Sequence, residues 1–331
     1  MASIVAEALH KGSIVIDGLI ISDWSRDVFE QMHRGGLTAA NCTCSVWHGF
    51  NDTMANIAQW KKMLADNSDI IMPVHSAADI RRAKEAKKVG IILGWQNTFA
   101  IEQNIDHLRL FKDLGVGVIQ LTYNTQNLVG SGCWESRDSG LSDYGRDVID
   151  LMNEIGILVD LSHVGDKTSA DAIAHSKKPV AYTHCFPNAI MDHPRNKSDE
   201  MLKMIADKGG FIGVVAYTPF MPKGDASTVE DVLDGYEHMI NIAGENNVGI
   251  GTDFTQGYGV EFFKYLRADK GTGRALSSGF AKRPDNPIGL DGPSEYVNLT
   301  EAMIKRGWPE SRIRKVLGEN WLGFLEEVWG G

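Results

Sequence analysis

Short apolar runs rich in Val and Ile alternate through nearly the whole chain with stretches whose apolar residues recur at helical spacing, and this rhythm restricts the fold more than any other feature. Eight such runs stand near 13–21, 40–47, 90–95, 117–122, 157–162, 179–184, 211–216 and 248–253. Between them, Val148, Leu151, Met152 and Ile155 form one helical stripe. Val229, Val232, Leu233, Tyr236 and Ile240 form another, with Ser227 and Glu230 read as its capping box. Eight repeats of strand and helix predict an α/β chain folded as a (β/α)8 TIM barrel, one domain over residues 1–331. A doubly wound open sheet would alternate in the same way, but no Gly-x-Gly-x-x-Gly follows the first strand.

Two connections are long, at about 124–141 and 255–291. Both are rich in Gly and polar residues, and both follow strands at the end where barrels place their active sites. The second holds Phe262, Phe263, Tyr265 and Leu266, which read as a short helix; a lid, a subunit contact and a structural excursion are all open. A net charge of −10, with no long run of Lys or Arg, argues against a nucleic-acid partner. Met1 to Gly12 lacks an apolar signal core and no later stretch has the length of a membrane span, so the expectation is a cytoplasmic protein with no membrane partner. Four cysteines, Cys42, Cys44, Cys133 and Cys185, are too scattered for a disulfide framework, and Cys42 and Cys44 read as buried strand thiols.

Barrel strands are almost wholly apolar, so a His or Asp at a C-terminal strand end is costly to bury and calls for a reason. Three strands carry one: Asp160-Leu161-Ser162-His163, Tyr182-Thr183-His184 and Gly251-Thr252-Asp253. In a ring, these ends point His163, His184 and Asp253 at a common mouth. Imidazole nitrogens suit zinc, and a carboxylate beside them can ligate or move a proton. His10, His33, His107, His175 and His238 fall at the terminus or on helices and read as solvated or secondary; His48 and His75 lie nearer the mouth without a role.

These segments resemble the membrane (renal) dipeptidases, a family within the metal-dependent amidohydrolases. The resemblance rests on Asp160-Leu161-Ser162-His163-Val164, Tyr182-Thr183-His184, Arg195-Asn196, Gly251-Thr252-Asp253-Phe254 and Val316-Leu317-Gly318-Glu319-Asn320-Trp321, and it runs from the first strand to the closing helix. It implies a dimeric barrel hydrolase that cleaves dipeptides with two zinc ions bridged by a glutamate. By the same resemblance His163 and His184 are ligands of one metal, Asp253 stands at the other and handles the proton, and Arg195 clamps a substrate carboxylate.

The departures are equally specific. Where the family has Asp-Gly-His-x-Asp on the first strand, this chain has Asp17-Gly18-Leu19-Ile20-Ile21; Gln96 stands at the bridging glutamate and Tyr123 at a strand-end histidine. Aliphatic side chains bind no metal, and a neutral amide bridges two cations poorly. The expectation is therefore one zinc ion at most, on His163, His184 and Asp253, with Arg195, Tyr123, Gln96 and Asn97 facing a small substrate that bears a carboxylate. Three functions stay open: a dipeptidase-like hydrolase, a metal-independent enzyme on a small polar or anionic substrate, and a binding protein without activity.

Overall fold

A computed structural model describes residues 2–276 and 282–330. Nine parallel strands appear among these residues. They are β1 (Ile16–Ile20), β2 (Ala39–Ser45), β3 (Ile71–Pro73), β4 (Val89–Trp95), β5 (Val116–Gln120), β6 (Leu158–Asp160), β7 (Ala181–Cys185), β8 (Phe211–Val214) and β9 (Val248–Ile250). β1 pairs with both β2 and β9, and β2 pairs with β4, so eight of the strands close into a (β/α)8 barrel with helices between them. These eight coincide with the eight apolar runs. β3 is additional and pairs only with the start of β4, Ile71 opposite Val89.

Glycines let the ring close tightly. A Cβ at Gly213 or at Gly251 would lie 2.0 Å from the Thr183 carbonyl oxygen, and one at Gly18 would lie 2.5 Å from the same atom. No side chain fits there, so the strands approach one another backbone to backbone. Below this waist the helix Asn320–Trp329 caps the barrel. Trp321 packs against Phe211 at 3.9 Å between ring centroids and donates its indole N–H to the Ile250 carbonyl at 2.8 Å. The bottom is thereby sealed with apolar side chains, which leaves the opposite end for the site.

The two helical stripes lie on Asp143–Ile155 and Val229–Ala243. The capping box of the second is one residue later than read: Thr228 is the N-cap, and Asp231 accepts from its backbone N–H and its hydroxyl at 2.8 and 2.9 Å. Ser227 instead uses its carbonyl to accept from the Ile288 N–H, which pulls the preceding chain off the helix. His10 is also not solvated. It is buried between Thr300 Oγ1 at 2.7 Å and the Gly35 carbonyl at 2.8 Å. The 255–291 connection does contain a short helix, Val260–Leu266, and its residues 277–281 lie outside the described residues.

Candidate active site

The strand ends of β4 to β9 deliver polar side chains to one pocket at the C-terminal mouth. Gln96, Tyr123, His163, Arg195 and Asp253 line it, together with Ile21 from the end of β1. The long connections finish the wall: Asn124 and Trp134 from one, Phe263, Leu266 and Arg267 from the other. The sequence marks both loops, with Phe263 and Leu266 as part of a short helix, but gives no signal for Trp134 and Arg267, or for Tyr217 and Phe220 after β8, because nothing in a loop's composition says which side chains turn inward.

Burial orients the two histidines through their outer nitrogens. Thr183 Oγ1 donates to Asp160 Oδ2 at 2.8 Å, so it accepts from His184 Nδ1 at 2.8 Å. Asn124 Oδ1 stands 2.7 Å from His163 Nδ1 and accepts from it in turn. Both ring protons are then on Nδ1, and the two Nε2 lone pairs face each other at 3.1 Å. Facing lone pairs repel unless a positive charge sits between them. Neither ring protonates readily itself, because burial first, and then the Arg195 charge, holds both well below the ordinary histidine range.

Asp160 belongs to the scaffold: its carboxylate accepts from Ser162 N and Oγ and from Thr183 N and Oγ1, which ties β6 to β7. Asp17 does the same across β1 and β9, accepting from the Thr252 N–H, the Thr252 hydroxyl and the Tyr296 hydroxyl. Each fixes the backbone just before a functional strand end.

Arg195 is buried at 1% exposure. One terminal nitrogen donates to the Ser162 carbonyl, the other to the His184 carbonyl at 2.7 Å, and Nε has no partner among the described residues. Phe220 lies under its guanidinium at 5.5 Å. No carboxylate of the described residues forms an ion pair with it, and Asp253 in the same pocket feels its charge without pairing with it.

Asp253 lines the same pocket at φ 61°, and Asn124 at φ 59°; both are left-handed conformations that few non-glycine residues adopt. Burial pushes the Asp253 carboxyl up to about 7, against the opposing pull of Arg195. Its side chain makes no hydrogen bond within the described residues. Tyr123 stacks on His163 at 4.2 Å between centroids, and burial, then the Asp253 charge, keeps its phenol protonated.

The positions that depart from the family pattern are filled coherently. Leu19 and Ile21 pack with Val46, Trp47, Tyr123 and Leu266 into a separate apolar cluster where the first-strand ligands would be. The Gln96 amide donates to Thr43 Oγ1 at 3.1 Å. Asn97 turns away, its side-chain oxygen accepting from Asn127 at 2.9 Å. Among the described residues, no three His, Cys, Asp or Glu side chains gather as a metal cluster. Two zinc ions do not fit this donor set. A single ion fits only the facing His163–His184 pair, whose lone pairs the outer hydrogen bonds already aim.

Comparison with known proteins agrees with the fold. The family model of membrane dipeptidase, peptidase family M19, matches residues 25–267. Dipeptidase tcpJ of Claviceps purpurea is 30% identical over 84% of this chain, and an uncharacterized dipeptidase of Schizosaccharomyces pombe is 32% identical over 84%. The chain spans 60% and 62% of the lengths of those two relatives. The crystal structure of an amidohydrolase from Pseudomonas aeruginosa superposes with a TM-score of 0.96 at 54% identity, over 98% of this chain and 99% of that one. On this evidence of sequence and fold together, the chain belongs to the membrane dipeptidase family, peptidase family M19.

Proposed function

We propose that the chain hydrolyses a dipeptide or a similar small amide carrying a free carboxylate, with one zinc ion at most, held by His163 and His184. The observation that carries this reading is Arg195: a buried guanidinium without a carboxylate of its own, aimed at the pocket that Asp253 also lines. A small anionic substrate supplies the missing charge, and the loss of water strengthens the pairing.

A zinc ion bound by the histidine pair would polarise the scissile carbonyl. The protein's own part follows from the geometry. Arg195 anchors the carboxylate end, so the amide lies toward Asp253 and Tyr123. Asp253, with its carboxyl near neutrality, takes a proton from the attacking water and returns it to the leaving amine. Among the described residues that line the pocket, it is also the one carboxylate that could complete a ligand set. The Tyr123 hydroxyl, kept protonated, donates to the oxygen that gains charge. A homodimer, as the family resemblance implies, is part of the same proposal.

One observation favours a second reading. The first-strand ligand positions hold an apolar cluster and the bridging position holds an amide, so Asp253 and Tyr123 would act on a polar or anionic substrate without a metal. Assaying small dipeptides against their C-terminally amidated forms tests the main proposal. Cleavage confined to the free acids supports it, and equal cleavage of both forms, or of neither, overturns it.

A further inference from the structure

On the far side of Ile21 from the hydrolytic pocket lies a second cleft of about 330 Å³, which the proposed hydrolysis does not use. His48, which lay near the mouth without a role, lines it together with Asp23. Its wall is aromatic. Tyr258 and Phe262 stack at 3.4 Å between centroids, Tyr265 lies 6.4 Å from Phe262 and 6.3 Å from His48, and Trp24 rests on Trp60 at 4.9 Å. The Trp24 indole N–H is spent on the Thr43 carbonyl at 3.1 Å, which leaves its ring as the group it offers.

The charge in this cleft is opposite to that of its neighbour. Arg195 and Arg267 line the hydrolytic pocket, whereas neither Lys nor Arg is among the lining residues here. Asp23 is exposed at the rim, and its carboxylate makes no hydrogen bond or ion pair within the described residues. Asp52 adds a second negative charge close enough to act on His48 and Tyr265. Aromatic faces carry negative potential and attract cations, most strongly where water is partly excluded. One rim carboxylate is too few oxygen ligands for an inorganic ion such as calcium.

We propose that this cleft binds a small organic cation, an alkylammonium up to the quaternary ion, with Asp23 as counter-ion and Trp24, Tyr258 and Tyr265 as its aromatic cage. The ligand sits beside the hydrolytic pocket and not in it, because the two guanidiniums there repel a cation.

Titration with tetramethylammonium chloride, followed by calorimetry and by tryptophan fluorescence, tests this, with sodium chloride as the ionic control and tert-butanol as an uncharged isostere. The expected result is saturable binding with a Kd of about 1–10 mM, about tenfold weaker in Asp23→Asn and in Tyr258→Leu, and at least about tenfold weaker for tert-butanol. Asp23→Asn keeps the fold because the carboxylate has no partner to lose. The proposal is overturned by absence of saturation up to about 100 mM, by equal binding of tert-butanol, or by unchanged affinity in Asp23→Asn.

Discussion

His163 and His184 face each other through Nε2 at 3.1 Å, each held from behind at Nδ1, by Asn124 and by Thr183. The pair is aimed before any ligand arrives, and the aim depends on the hydrogen bonds behind the rings. Thr183→Val removes the acceptor for His184 and a donor to Asp160. It is expected to lower stability by about 1–3 kcal/mol and metal affinity by about 10–100-fold, read by urea unfolding and by zinc titration. Unchanged affinity in a folded variant contradicts this.

Restoring the family's first-strand residues, Leu19→His with Ile21→Asp, does not restore a second metal. Both side chains sit in the apolar cluster with Trp47 and Tyr123, at 1% and 4% exposure. The double variant is expected to lose about 3–6 kcal/mol, from lost burial and from unpaired polar groups, with no gain in metal per chain while Gln96 remains. Denaturant melts and elemental analysis of the variant check both parts.

Arg195→Lys keeps the charge but not the fork that bridges the Ser162 and His184 carbonyls and meets a carboxylate. The expected loss is roughly 100-fold in kcat/KM for a substrate with a free carboxylate. Amidated substrates, already poor, should change little, so the preference for free acids collapses. A uniform loss on both would assign Arg195 to the scaffold alone.

Asp253 gives the rate its pH dependence. As a base with its carboxyl at about 7, it is active when ionised, so kcat/KM should rise with pH through about 7 and level above it. Asp253→Asn should abolish that limb with the activity.

His193 gives stability a separate dependence. Burial first, then Arg195, lowers it to about 4, and its Nδ1 accepts from the Arg195 N–H at 3.1 Å. A folded value below the free value of 6.5 means the unfolded chain binds the proton more readily. Its contribution is therefore full above 6.5 and is lost as pH falls toward 4. Because the ring is only partly buried, the loss is roughly 1–3 kcal/mol. The difference between the native chain and His193→Gln, melted at several pH values, isolates it.

Much of this site is legible in the sequence because barrel geometry converts a strand-end position into a place. Reading the strand ends at His163, His184 and Asp253 was enough to expect them near one mouth, and the structure lines one pocket with His163 and Asp253 while His184 faces His163. Leu19 and Ile21 were recognisable as lost ligands, but their packing against Trp47 and Leu266 was not, since it joins β1 to a distant loop. β3 is not among the eight runs counted as strands, because three residues carry no periodicity. The capping box slipped by one residue because Ser227 and Thr228 are both good caps, and a tertiary contact to Ile288 decides between them. Asn97 looked like pocket wall from its place beside Gln96, and only the fold of 124–141 shows that Asn127 engages it.

The most direct measurement is the metal content of protein purified without chelator or histidine tag, by elemental analysis, for the native chain and for His163→Ala. The account predicts about one zinc per chain, lost in the variant, because the donor set has one aimed pair. Two zinc ions per chain, or zinc that survives His163→Ala, would contradict it, and no zinc in the native protein would select the metal-free reading.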